Sequence, residues 1–270
     1  MKKYLFLFSL LFSCALSGAI GIENGDRVAF LGDSITQLGG WQWPYTGYIF
    51  LVKDGLKTAG IEIDAIRAGV SGNHSGQMLA RQKKDVLDKK PRWMFLCSGA
   101  NDLAFHVSLE DFRKNMTKMV ENARKEGVQV VLMTTVPREN NPERNRKLLP
   151  YVEFVRSCAK ENRIFLVDVY KAMEEASASP ELLRIKGYRL SYDGTHLNGF
   201  GHIVVACAIL KECGFSDEKL ASLRKKWMGG KRHALEIFLP VTAKEQLFLA
   251  REAKKRNMSL QEYLNELLLK

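Results

Sequence analysis

Ser34 stands in Leu31-Gly32-Asp33-Ser34-Ile35-Thr36, at the turn where an apolar run gives way to the next segment. A serine hydroxyl is a poor nucleophile until a neighbouring base removes its proton, so the chemistry depends on finding that base. The candidate lies far downstream in Asp193-Gly194-Thr195-His196, where a carboxylate and an imidazole are three residues apart. One loop can hold Asp193 against the His196 ring and fix its tautomer, leaving the other ring nitrogen to take the Ser34 proton. Two further segments, Ala68-Gly69-Val70-Ser71-Gly72-Asn73 and Ser98-Gly99-Ala100-Asn101-Asp102, each follow a strand-like run. Each ends in small residues plus a group able to donate a hydrogen bond to an oxyanion. Any one of these pieces alone reads more readily as an ordinary turn. Asp33 and Asp102 adjoin the candidate positions and are expected to hydrogen-bond turn amides.

The four blocks come in the order Ser34, Gly72, Asn101, His196, and in this order the chain resembles the SGNH hydrolases, also called the GDSL esterase and lipase family. The resemblance covers roughly Asp26 to Cys213. It implies that Ser34 is the nucleophile, His196 the general base and then acid, and Asp193 the group that orients the ring. It further implies an oxyanion hole built from the Ser34 backbone amide, the Gly72 backbone amide and the Asn101 side-chain amide. Glycine at 72 lets the backbone approach a substrate with no Cβ in the way. Two positions depart from the family pattern: Leu197 stands where proline is usual, and Ala100 where a bulkier or β-branched residue is usual, which leaves that wall roomier. The mechanism calls for no cofactor. Metal binding is not expected either, since no Cys or His pair has ligand spacing and His74, His106, His202 and His233 are scattered.

The elements that must carry these groups follow from the apolar runs. Val28 to Leu31, Ile61 to Ile66, Trp93 to Cys97, Val128 to Thr134 and Ile164 to Val167 are short and apolar or β-branched, the pattern of buried parallel strands. Longer amphipathic stretches such as Gln77 to Lys89 and Leu109 to Lys125 lie between them. The alternation predicts an α/β three-layer sandwich, a parallel five-stranded sheet with helices on both faces, and the resemblance makes it the flavodoxin-like SGNH hydrolase fold. In such sheets the ligand crevice lies beyond the carboxyl ends of the strands. Ser34, Gly72 and Asn101 all follow strand ends and so share one rim.

A chain of 270 residues with 46% hydrophobic content is large enough for one well-buried core plus additions. Met1-Lys2-Lys3, the apolar run Tyr4 to Leu16 and the small residues Ser17-Gly18-Ala19 read as a secretory signal, residues 1–19. The run is too short to span a bilayer, so stable membrane insertion is not expected. Export makes the protein secreted or periplasmic; Leu11-Phe12-Ser13-Cys14 loosely resembles a lipoprotein cleavage site and leaves lipidation at Cys14 as the minority alternative. The hydrolase domain is then expected over 20–213. Its cysteines Cys97, Cys158, Cys207 and Cys213 are buried free thiols or, in an oxidising compartment, pairs whose connectivity the spacing does not choose.

The resemblance implies that the substrate is an ester of a small molecule or polysaccharide. Gly39-Gly40-Trp41-Gln42-Trp43-Pro44-Tyr45 follows the nucleophile, and Trp41 and Trp43 form either a platform for a sugar face or core packing for a helix from Pro44 onward. The polar loop Pro137 to Lys147 carries Arg138, which is either solvated or meets an anionic substrate such as a uronic-acid polymer. Exported family members often remove acetyl groups from carbohydrate, so the resemblance favours that class; a lysophospholipase or thioesterase-type lipid hydrolase is the alternative.

Net charge is +11, from 41 Lys and Arg against 30 Asp and Glu. Residues 214–270 hold twelve of those cations and seven of the anions, and read as a basic C-terminal extension. Leu235 to Pro240 looks like a strand, and Thr242-Ala243-Lys244-Glu245 and Ser259-Leu260-Gln261-Glu262 are capping boxes opening two helices. Strand, helix, helix resembles the ribbon-helix-helix fold, which makes a nucleic-acid-binding module the rival reading. The signal sequence and Glu236 on the would-be reading strand argue against nucleic acid. Docking on the hydrolase core or homodimer formation through the extension remains.

Overall fold

The computed structural model describes residues 18–41, 46–179, 189–230 and 243–268. Its apolar runs form a parallel five-stranded sheet, β1 (Arg27–Gly32), β2 (Asp64–Gly69), β3 (Trp93–Cys97), β4 (Gln129–Met133) and β5 (Phe165–Val167), in the order β2-β1-β3-β4-β5. Successive side chains alternate between two cores. Val28, Phe30, Trp93, Phe95, Cys97, Val131 and Met133 face one side, while Ala29, Leu31, Met94, Leu96, Val130 and Leu132 face the other. With both faces covered, the central strands can be apolar throughout.

The elements that close the first face are α2 (Tyr48–Lys57), α7 (Val169–Ser177), α8 (Gly199–Glu212) and α9 (Asp217–Gly230); α3 (Ser75–Asp85), α5 (Leu109–Lys125) and α6 (Pro142–Glu161) close the second. Two short helices, α1 (Ser34–Gly39) and α4 (Ala100–Ala104), sit at the strand ends. The longest amphipathic expectation matches its helix: Ser108 caps α5 by accepting from the Asp111 amide, and Phe112, Met116, Met119, Val120 and Ala123 turn inward at helical spacing. The three-layer α/β expectation therefore holds.

One strand is displaced. The apolar run predicts β2 over Ile61 to Ile66, but the strand begins at Asp64, paired with Arg27, and runs to Gly69. Ile61 instead donates its amide to Leu56 O at 3.1 Å and finishes the turn after α2. On this edge strand the register is set by the need to end beside Gly32, and apolar count is a poor guide to it.

Ile20 and Ile22 are buried, and the Ile20 amide bonds Glu212 O at 2.7 Å. The signal region up to Ser17, including Cys14, lies outside the described residues, as do Trp43 and the strand expected over Leu235 to Pro240. The boundary expected after Cys213 falls inside the core, because Phe215, Leu220, Leu223 and Trp227 pack there. Trp227 Nε1 and Lys226 Nζ both donate to Asp54 Oδ2 on α2, at 2.7 and 2.8 Å. The chain divides instead into units Met1–Ala234 and Leu235–Lys270.

In the second unit α10 (Ala243–Lys255) packs on α11 (Leu260–Leu268), with Ala253 and Tyr263 buried. The Ser259 capping box forms: Glu262 Oε2 accepts from the Ser259 amide at 2.7 Å and Ser259 Oγ from the Glu262 amide at 3.2 Å. The Thr242 box begins outside the described residues. Cys97, Cys158, Cys207 and Cys213 are free thiols, and burial pushes Cys207 up to about 11 and Cys213 to about 12, so neither is a thiolate at neutral pH. No helix among the described residues is long and apolar enough to cross a membrane.

Candidate active site

Gly32 and Gly69 end adjacent strands and let α1 fold back tightly over them. A Cβ at Gly69 would lie 2.2 Å from the Gln37 amide nitrogen and 2.5 Å from the Thr36 carbonyl carbon. At the first position of α1, Ser34 projects from this packed turn, with Asp33 as N-cap accepting from the Ile35 amide at 2.9 Å. Across the rim, His196 Nε2 is 2.9 Å from Ser34 Oγ, and His196 Nδ1 is 2.6 Å from Asp193 Oδ2. The other carboxylate oxygen of Asp193 accepts from the Thr195 and His196 amides, both at 2.8 Å. Partial burial pushes the Asp193 carboxyl up, but the hydrogen bonds from the His196 ring and these two amides outweigh it and hold the group below the usual carboxylate range. It is therefore an anion able to stabilise an imidazolium.

The loop carrying these two groups is tied at both ends. Ser191 bridges Leu197, and the Tyr192 amide bonds His196 O at 3.0 Å. Tyr192 stacks on the His196 ring at 5.7 Å between centroids. Leu197 is fully buried, so packing fixes the position where the family usually has proline. Asn198 then caps α8, accepting from the Phe200 and Gly201 amides.

Gly72 has φ +76°, a left-handed conformation that glycine adopts without strain, in a loop that Gln37 Oε1 secures by accepting from the Ser71 amide at 2.6 Å. Asn101 Nδ2 donates to Asn73 O at 3.0 Å. That bond uses one of two amide hydrogens and leaves a second donor. Asp102, fully buried, accepts from the Ser75 amide and from the Ser75 and Ser98 hydroxyls, joining α4 to the start of α3. Both acidic neighbours thus bind turn amides as expected. Ser34, Asp193 and His196 form one hydrogen-bonded chain, and α1 holds the Gly72 loop to which Asn101 is bonded.

Trp41 is 45% exposed at the end of α1. Arg138 is otherwise engaged: its guanidinium donates to Thr195 Oγ1 and, at 3.1 Å, to Asp193 O. Sequence reasoning missed three residues. Arg81 reaches from α3 to donate to Gly32 O, Ala68 O and Asn73 Oδ1, binding two strand ends and the Gly72 loop together. Glu139 accepts from the Leu190 and Ser191 amides. Phe105, one helical turn beyond Asn101, is 59% exposed. Arginine periodicity on α3 gives no sign of its carbonyl partners, and an exposed phenylalanine reads in sequence like a core one.

Comparison with known proteins bears on the same segment. The GDSL-like Lipase/Acylhydrolase family matches residues 30–203. An acetylxylan esterase of Geobacillus stearothermophilus is 29% identical over 216 residues, covering 72% of this chain and 96% of that protein. An uncharacterised lipoprotein of Bacillus subtilis is 38% identical over 146 residues, covering 51% of this chain and 58% of that protein. A solved acetylxylan esterase from G. stearothermophilus superposes with a TM-score of 0.64 at 25% identity, over 73% of this chain and 98% of that one. Variants of that enzyme at a serine, and at an aspartate and a histidine three residues apart, are described as catalytic mutants.

Proposed function

Because the chain belongs to the GDSL-like lipase/acylhydrolase family and is a carboxylic ester hydrolase, we propose that Ser34, His196 and Asp193 are its catalytic triad and that it removes acetyl or other short acyl groups from carbohydrate. The observation that carries the triad is the unbroken chain from Ser34 Oγ through the His196 ring to Asp193. His196 Nε2 takes the Ser34 proton as Oγ attacks the ester carbonyl, and Asp193 stabilises the resulting imidazolium. The oxyanion is met by the Ser34 and Gly72 amides and the free hydrogen of the Asn101 amide. Collapse of the tetrahedral intermediate expels the alcohol, which takes the proton from His196. Water, deprotonated by the same ring, then releases the acid. The carbohydrate reading is supported by likeness to an acetylxylan esterase along nearly its whole length, and by exposed Trp41 and Phe105 at the rim as faces for a sugar ring.

The apolar run Tyr4 to Leu16 and the likeness to a lipoprotein support export, with Ala19 as the cleavage point and Cys14 as the alternative site of attachment. The test is a hydrolysis panel of acetylated xylan, acetylated pectin, nitrophenyl esters of increasing chain length and a lysophospholipid. Acetylated carbohydrate should be preferred, Ser34→Ala should abolish turnover, and Asn101→Ala should lower kcat by roughly 10²- to 10³-fold. Turnover in folded Ser34→Ala protein overturns the triad; preference for long acyl chains overturns the carbohydrate reading.

A further inference from the structure

The segment Arg138-Glu139, between β4 and α6, touches no reacting group yet grips most of the loop that carries Asp193 and His196. Glu139 Oε1 accepts from the Leu190 amide at 2.7 Å, and Oε2 accepts from the Ser191 amide at 3.0 Å and from the Ser191 hydroxyl. The Glu139 amide donates to Gly194 O at 2.9 Å. Arg138 donates to Asp193 O and Thr195 Oγ1 from its guanidinium. Two consecutive residues thus bond Leu190, Ser191, Asp193, Gly194 and Thr195. Their own base is stiffened by Asn145 of α6, which accepts from the Arg138 amide at 2.8 Å and donates to Arg138 O at 2.9 Å. Gly194 has φ +90°, and a Cβ there would stand 3.3 Å from Arg138 Nε and 3.5 Å from Glu139 O, so the arginine lies close against a bare backbone.

We propose that Arg138 and Glu139 are positioning residues, a clamp that holds the His196 loop in register with Ser34. The proposal rests on the triad reading above. The loop's internal bonds fix the relation of Asp193 to His196, but they do not fix where that pair stands relative to α1. The clamp supplies this second constraint from the connection between β4 and α6, anchored by Asn145. A carboxylate accepting from two backbone amides is a charge-assisted contact, stronger than a neutral one. Misplacement of reacting groups by about 1 Å can cost on the order of 10²-fold in rate.

The test compares full-length wild type with Glu139→Gln, Glu139→Ala and Arg138→Lys on a small soluble acetate ester, with competent sites counted by a phosphonylating probe. The glutamine keeps one acceptor but turns an N–H₂ toward a donor, so kcat per titrated site should fall about 10-fold, and about 100-fold for alanine, with KM within about twofold. Arg138→Lys, which keeps the charge but loses the fork, should fall less, by several-fold. A merely structural role would lower the number of titratable sites and leave kcat per site at the wild-type value, and that result overturns the proposal. If Glu139→Ala does not fold, Arg138→Lys and Glu139→Gln decide. Wild-type protein that takes no probe at Ser34 would instead sink the triad reading, a failure separate from that of the clamp.

Discussion

Asp33 adjoins the proposed nucleophile, 1% exposed, and accepts from the Ile35 amide. Burial pushes its carboxyl up to about 6, against the opposing pull of that amide and of His196. A carboxyl whose folded value lies above its ordinary 3.8 stabilises the fold fully below that value and loses the contribution as pH rises through about 6. Ionised Asp33 at neutral pH is therefore a cost, on the order of 3 kcal/mol. Asp33→Asn keeps an acceptor for Ile35 and removes the charge. The variant should melt higher than wild type at pH 8, with the gain gone at pH 4. It should also lose a few-fold in kcat, because the Asp33 carboxylate favours the imidazolium formed during attack. Thermal melts at the two pH values and a kcat measurement check both parts; equal melting temperatures at pH 8 would mean the charge is better solvated than its burial implies.

Among the elements, α1 depends on the close approach of two strand ends. Gly69→Ala places a methyl on the backbone of Thr36 and Gln37, where no side chain can swing aside. It should destabilise the protein by about 1–3 kcal/mol and lower kcat as α1 shifts, which denaturant titration and steady-state rates would show. The placement of these elements was largely legible: β1, β3, β4 and β5 are apolar on both faces, a pattern that announces itself within a few residues. The start of β2 was not, because an edge strand half open to water is placed by its partner, here Arg27 against Asp64. The candidate site divides the same way. Ser34, Gly72, Asn101, Asp193 and His196 sit in short motifs whose order can be read along the chain. Arg81, Glu139 and the loop-gripping use of Arg138 are contacts between side chains and distant backbone, and no local spacing encodes them.

At the scale of the whole molecule, the site residues and the helices that bury them all lie within Met1–Ala234. We expect a chain ending at Gly230 to keep the wild-type kcat on a short acetate ester and a similar melting temperature. One ending at Cys213 loses the buried Phe215, Leu220, Leu223 and Trp227 and the bond to Asp54, and should be destabilised by more than the roughly 3–5 kcal/mol of deleting a buried tryptophan alone. Melting curves and rates on the two truncations check this, and a change of mass by light scattering between full-length protein and the Gly230 chain would assign association to the second unit. The separation of Ser34 from its hydrogen-bonded partner His196 by 162 residues has a consequence for biosynthesis. A nascent chain emerges with its serine, its glycine loop and Asn101 long before the histidine is made. On the proposed triad the hydroxyl has no base until α8 docks on α2 and brings the His196 loop over, so an unfinished polypeptide is chemically mute toward esters.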